Sequence, residues 1–177
     1  QAGRGREALT ARRRVVGIMG AGSASERCLR DARELGRLMA EAGWVVLTGG
    51  RPHGVMAAAC AGAKEVPGSL TLGIIPSASG GVGPDVDLAV FTGLGDARNV
   101  INVLSSDVVV ACGVEGPGTA SEVALALTSE KPVILLAAEP AALGFFRTLS
   151  GAGRLLEAGT PSEAVRLVRE LMEQRQP

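Results

Sequence analysis

Short apolar runs alternate along this chain with longer amphipathic stretches, and most of the apolar runs stop at a glycine. The runs cover 15–19, 44–48, 70–75, 88–92, 107–112 and 133–137. They lack strict polar alternation, as strands do when helices cover both faces of their sheet. Between the first two, residues 24–42 carry Leu29, Ala32, Leu35, Leu38 and Met39 along one helical stripe. Residues 161–174 repeat that pattern through Val165, Leu167, Val168, Leu171 and Met172. The start of this last helix is marked by Thr160 as N-cap, Pro161 at the first helical position and Glu163 closing a capping box. Strand and helix in alternation predict an α/β fold: a Rossmann-like, doubly wound, mainly parallel sheet of about six or seven strands with helices on both faces.

No internal repeat or linker interrupts the pattern, so 14–177 is expected to form a single ligand-binding domain. Ahead of it, residues 1–13 hold Arg4, Arg6, Arg12 and Arg13 against Glu7, and are expected to be a mobile basic arm. Aromatic residues are only 2% of the chain, with no Tyr, so the core must come from Val, Leu, Ile and Ala. Eighteen basic residues balance eighteen acidic ones, which argues against nucleic acid or a membrane surface as partner. No apolar run approaches the roughly 18 residues of a membrane-spanning helix. Cys28, Cys60 and Cys112 form no CxxC pair and His53 is the only histidine, so neither a disulfide framework nor a metal site is expected. A reducing, cytoplasmic setting suits such cysteines.

The glycines carry more information than any bulk property. In an open parallel sheet, ligands bind outside the carboxyl ends of the strands. The first strand-end loop, Gly20-Ala21-Gly22-Ser23-Ala24-Ser25-Glu26, has Ser25 where a dinucleotide fingerprint needs its third glycine. The second strand ends in Gly49-Gly50-Arg51 rather than in an acidic ribose partner, and no GK[ST] follows any glycine loop. An ordinary NAD site is therefore disfavoured and a P-loop is excluded. Ser23 and Glu26 have capping-box spacing, and an oxyanion at the same helix N-terminus is the competing reading.

Arg51 can serve as a fork-shaped phosphate donor, while His53 is assigned no catalytic part. In Gly95-Asp96-Ala97-Arg98-Asn99, Asp96 reads as an N-cap. Arg98 then falls in a first helical turn, where the dipole disfavours a cation unless an anion is near. The densest loop runs from Gly113 to Glu122 as GVEGPGTASE. Thr119 and Glu122 again have capping-box spacing, yet the Gly and Pro content between strand and helix suggests an exposed nest of N–H donors.

TGGRPHGVMAAACAGAKE, GIIP, ARNVINVLSSDVVVACG and GPGTASEVALAL follow one another in an order and spacing that resemble the LONELY GUY / lysine decarboxylase-like superfamily. The resemblance runs over about 14–137. The ARN motif and the altered fourth loop are most similar to its molybdenum cofactor carrier branch, and the Ala/Gly/Arg-rich composition to the green-algal members of that branch. Enzymes of the superfamily cleave the N-glycosidic bond of cytokinin or adenosine 5′-monophosphates with an Arg and a PGGxGTxxE loop. Arg98 matches that Arg, Glu122 the final Glu, and Gly116, Gly118 and Thr119 the loop. Val114 and Glu115 replace its initial Pro-Gly, Ser121 replaces the first of paired glutamates, and Asn99 replaces a Lys. Glu115 is expected to place negative charge at the mouth of the site.

The resemblance thus implies a non-enzymatic carrier that binds the molybdenum cofactor (molybdopterin), shields it, and passes it to apo-molybdoenzymes such as nitrate reductase. Its phosphate would lie near Gly116, Gly118 and Thr119, or near Gly20, Gly22 and Ser23. Gly49, Gly50, Arg51, Arg98 and Glu122 complete the expected site, with no catalytic residue. The alternative is a nucleoside 5′-monophosphate phosphoribohydrolase in which Arg98 and Glu122 are catalytic. Lysine decarboxylation is disfavoured, because neither Lys64 nor Lys131 stands at a strand-end glycine loop. A homo-oligomer, dimer or tetramer, is implied through the helix that carries Arg98 and the helix after Gly118.

Overall fold

In the computed structural model, which describes residues 12–150 and 154–174, the six apolar runs and one further segment form seven strands of one sheet. These are β1 (Val15–Met19), β2 (Val45–Thr48), β3 (Thr71–Ile75), β4 (Leu88–Phe91), β5 (Val108–Cys112), β6 (Val133–Leu136) and β7 (Leu155–Ala158). The helices are α1 (Glu26–Glu41), α2 (Gly54–Lys64), α3 (Asn99–Ser105), α4 (Pro117–Thr128), α5 (Pro140–Leu149) and α6 (Pro161–Glu173). A 3-10 turn, Gly95–Arg98, leads into α3. Every strand pairing is parallel, in the order β4-β3-β2-β1-β5-β6-β7.

Both faces of the sheet are covered over its central strands, as the unbroken apolar runs require, whereas the edge strand β4 is exposed along its whole length. On one face Val16, Ile18, Val46, Val108 and Val110 pack against Ala32, Leu35 and Met39 of α1, Val55 and Ala59 of α2, and Val168 of α6. On the other, Met19, Leu47, Val109 and Ala111 pack against Val103 of α3, Val123 and Ala126 of α4, and Phe146 of α5. Cys112 is buried at the end of β5, and Cys28 and Cys60 are buried free thiols as well.

Three local expectations are corrected. The N-cap of α1 is Ser25, whose hydroxyl accepts from Cys28 N, and not Ser23. Asp96 sits inside the 3-10 turn, whose cap is Leu94. Helix α4 begins at Pro117 behind Gly116, so Thr119 and Glu122 lie within its first two turns and form no capping box. Thr160 does cap α6, accepting from Glu163 N at 3.3 Å, while the Glu163 carboxylate reaches Gly159 N at 2.9 Å. Residues 1–11 of the expected arm lie outside the described residues. Arg12 pairs with Asp107, whose carboxylate also accepts from Val15 N at 2.8 Å.

The topology fixes where a ligand can go. The chain steps outward from β1 to β4, then returns with β5 to the other edge of β1. The β1/β5 boundary is the switch point, and the loops after β1 and β5 diverge there to open a crevice.

Candidate functional site

A cleft of about 180 Å³ opens at this switch point. Gly20 and Gly22 form one wall and Gly49 and Arg51 the next. Arg98 closes the floor, and Gly116, Gly118, Thr119 and Glu122 form the wall opposite. Nine of the eleven expected site residues therefore meet in one place. Ser23 and Gly50 do not line it. Gly50 is held for structural reasons: at φ +70° its N–H donates to Thr48 Oγ1 at 3.0 Å, its carbonyl accepts from Gly83 N, and a Cβ would lie 2.8 Å from Gly73 Cα.

The N-terminus of α4 faces the cleft without a cap. Gly116 has no side chain to offer, and Pro117 occupies the first helical position, where its missing N–H costs nothing. The first-turn N–H groups of Gly118 and Thr119 are left without an intrahelical acceptor. A Cβ on Gly118 would meet no atom within 4 Å. Beside these amides, the Thr119 side chain is 2% exposed and its hydroxyl has no hydrogen-bond partner. Buried polar atoms are normally satisfied, and this one is not.

The N-terminus of α1 is in the opposite state. Glu115 extends from the β5–α4 loop and its carboxylate accepts from Ser25 N at 2.8 Å and from Ser25 Oγ at 2.7 Å. Glu115 therefore does not stand at the mouth of the cleft, as the sequence suggested. It lies against α1, drawn there by the hydroxyl, the unsatisfied amide and the positive end of the helix dipole.

Arg98 is 7% exposed and Glu122 5%, an uncommon depth for ionisable groups. Arg98 Nη1 donates to Asn99 Oδ1 at 2.7 Å and lies 3.8 Å from Glu122 Oε1. Its Nε has no partner. Gly49 makes room for the guanidinium, since a Cβ there would sit 2.6 Å from Arg98 Nη2. Burial pulls the Arg98 pKa down from its ordinary value, and Glu122 opposes that shift. Burial likewise pushes the Glu122 carboxyl up to about 7, against the Asn102 hydrogen bond and the Arg98 charge, both of which favour the ionised form.

The two departures at Asn99 and Ser121 touch each other. Asn99 Nδ2 donates to Ser121 Oγ at 3.0 Å, and that hydroxyl donates to Gly118 O at 2.7 Å. A Lys and a Glu at these positions would place an ion pair on the cleft wall. Here that pair is neutral, and Asn99 spends its oxygen on Arg98.

Sequence reasoning assigned no site role to Ala21, Met56, Asp96, Asn99 and Pro117, which also line the cleft. It overlooked Asn102, whose Nδ2 donates to Glu122 Oε1 at 2.7 Å. The signal for Asn102 was a lone amide in the apolar run VINVL, one helical turn beyond Arg98. Among the described residues, no group of three or more His, Cys, Asp and Glu is placed to hold a metal ion. No helix among them is long and apolar enough to cross a membrane.

A molybdenum cofactor binding protein from the phototrophic bacterium Rippkaea orientalis shares 47% identity with this chain, over 92% of it and 99% of that chain, with a TM-score of 0.87. The molybdenum cofactor carrier protein of Chlamydomonas reinhardtii shares 46%, over 92% of this chain and 99% of its own, with a TM-score of 0.86. An uncharacterized protein of Archaeoglobus fulgidus is 41% identical over 121 residues, which are 68% of this chain and 78% of that protein. Residues 13–165 match the profile of the SLOG cluster4 family. On that match and these identities, the chain belongs to the SLOG cluster4 family.

Proposed function

We propose that this protein is a carrier for the molybdenum cofactor, holding the pterin by its terminal phosphate at the open N-terminus of α4. The observation that carries the reading is the Thr119 hydroxyl, buried and unpartnered beside the uncapped amides of Gly118 and Thr119. A phosphate there gains amide donors, the helix dipole and a hydroxyl at once. Arg98 and Arg51 supply charge to the remaining anionic groups. Gly20, Gly22 and Gly49 line the cleft with backbone, and their missing Cβ atoms make room for Val55, His53 and the Arg98 guanidinium. The names of the proteins from R. orientalis and C. reinhardtii support the cargo.

Cargo held this way is shielded on one side and is passed on to apo-molybdoenzymes such as nitrate reductase. Exposed Val100 and Leu104 on α3 support self-association of that surface into a dimer or tetramer, and light scattering on the purified protein decides it. The carrier test is direct. Apoprotein is mixed with molybdopterin under reducing, oxygen-free conditions and passed over a sizing column, and the eluate is oxidised to reveal pterin fluorescence. Coelution of pterin with protein is the expected outcome, and pterin left wholly in the small-molecule fraction refutes the carrier.

One observation favours the second reading. A carboxyl near pKa 7 beside a buried Arg is suited to general acid–base work at neutral pH. Against it stands the neutral Asn99–Ser121 pair, where the related hydrolases carry charge. Incubation with AMP and with isopentenyladenosine monophosphate, followed by chromatography for free base, separates the two. No base release is expected. Release that E122A abolishes would establish the hydrolase.

A further inference from the structure

We propose that Glu115 is a specificity-determining residue that confines the cleft to ligands bearing a single phosphate and rejects those bearing a pyrophosphate. The inference rests on the phosphate reading of the cleft. In dinucleotide-binding sheets the pyrophosphate lies on the N-terminus of the helix after β1. Here that position is taken by a carboxylate of the protein itself. Glu115 grips Ser25 with both oxygens, one on the amide at 2.8 Å and one on the hydroxyl at 2.7 Å. The fork uses the donors that a second phosphate would need, and leaves a negative charge where that phosphate would sit.

The loop is built to deliver this carboxylate. Gly113, at φ +76°, permits the reversal after β5, and a Cβ there would lie 3.1 Å from Glu115 Cγ and 3.1 Å from Cys28 Sγ. Val114 follows at φ 56°, a conformation that is a true outlier for a β-branched residue. Such strain persists only where surrounding contacts hold it. The Ser25 fork and the Val114 N–H bond to Cys112 O at 3.0 Å are the contacts that do so. The Val114 side chain also packs against the apolar cluster that holds Met19 and Val123. The two loops also meet at the cleft itself, where a Cβ on Gly116 would be 3.7 Å from Ala21 Cβ. Glu115 is the chain neighbour of the cleft-lining Gly116, and its carboxylate stands on the α1 side of that wall, against Ser25.

Amide chemical shifts of the full chain, titrated with inorganic phosphate and with inorganic pyrophosphate, test the assignment. In the native protein both anions should move the amides of Gly118 and Thr119 and leave Ser25 still. In E115A the Ser25 amide should respond as well, and affinity for pyrophosphate relative to phosphate should rise about tenfold, as expected when charge-assisted hydrogen bonds become available. E115Q keeps the length and one acceptor oxygen, and should give roughly a threefold rise through loss of charge alone. It decides the matter if E115A fails to fold. A Ser25 amide that responds in the native protein, or an unchanged ratio in the folded variants, overturns the proposal, as do silent Gly118 and Thr119 amides. Pterin binding with an unchanged ratio would remove this inference and leave the carrier standing. A shifted ratio without pterin binding would do the reverse.

Discussion

Two helices begin beside the β1/β5 switch point, and they dispose of their free N–H groups in opposite ways. At α1 the protein supplies its own anion, Glu115, and the N-cap serine is doubly bonded to it. At α4 no anion is supplied: the cap is glycine, the next residue is proline, and the Thr119 hydroxyl is buried without a partner. The same physics governs both ends, since each has orphan amides and a dipole that attracts negative charge. The difference is that the chain satisfies that demand at Ser25 and leaves it open at Gly118 and Thr119, the end where we propose that the phosphate binds.

Closing α4 in the manner of α1 should produce the largest effect. Gly118 faces open space, so G118D introduces an acceptor into the first turn without a clash. Molybdopterin affinity should fall about a hundredfold, equivalent to ~2.7 kcal/mol. Thermal stability should hold or rise, because an acidic residue in the first turn favours the helix by about 0.3–1 kcal/mol. Calorimetry and a melting curve read the two together, and a variant that still binds would show that α4 is not the phosphate seat.

Damage to the closed end should instead appear in folding. G113A combines a positive φ with a crowded Cβ, and should cost roughly 1–3 kcal/mol in denaturant unfolding. T119V separates the two quantities at the open end. It removes the orphan hydroxyl, so stability should stay level or improve by up to about 1 kcal/mol while affinity drops about tenfold. A loss of stability would mean that the hydroxyl already serves the apoprotein.

The smallest effect concerns pH. The Glu122 carboxyl is raised from an ordinary 4.5 to about 7. Between those values the folded state holds a proton that the unfolded chain has released. Stability should therefore fall as pH climbs through this window and level off above it. E122Q should flatten that slope in unfolding curves taken across the range.

Much of this was legible in the chain and some was not, for identifiable reasons. β1 coincides with its apolar run and the next five strands fall within one residue of theirs, because glycine or proline ends most of them sharply. β7 and α5 were not read out individually. β7 is a four-residue edge strand, only partly buried and with little apolar contrast, and α5 opens on Pro140 without a capping side chain. Among the residues that line the cleft, Arg98, Thr119 and Glu122 were legible through their motifs.

The state of α1 was not legible, because the residue that closes it lies 90 positions away and local spacing pointed to Ser23 instead. Thr119 and Glu122 have the spacing of a capping box, and Pro117 was the clue that the helix had already begun. The same Pro rule, applied at Pro161, located the start of α6 correctly.

The most direct test is a crystal structure of the protein loaded with molybdopterin, read at the terminal phosphate. The expected result places that phosphate within hydrogen-bond distance of the Gly118 and Thr119 amides, with Thr119 Oγ1 donating to it and Glu115 still on Ser25. A phosphate seated on Ser25, with Glu115 displaced, would contradict the division between an open and a closed helix end.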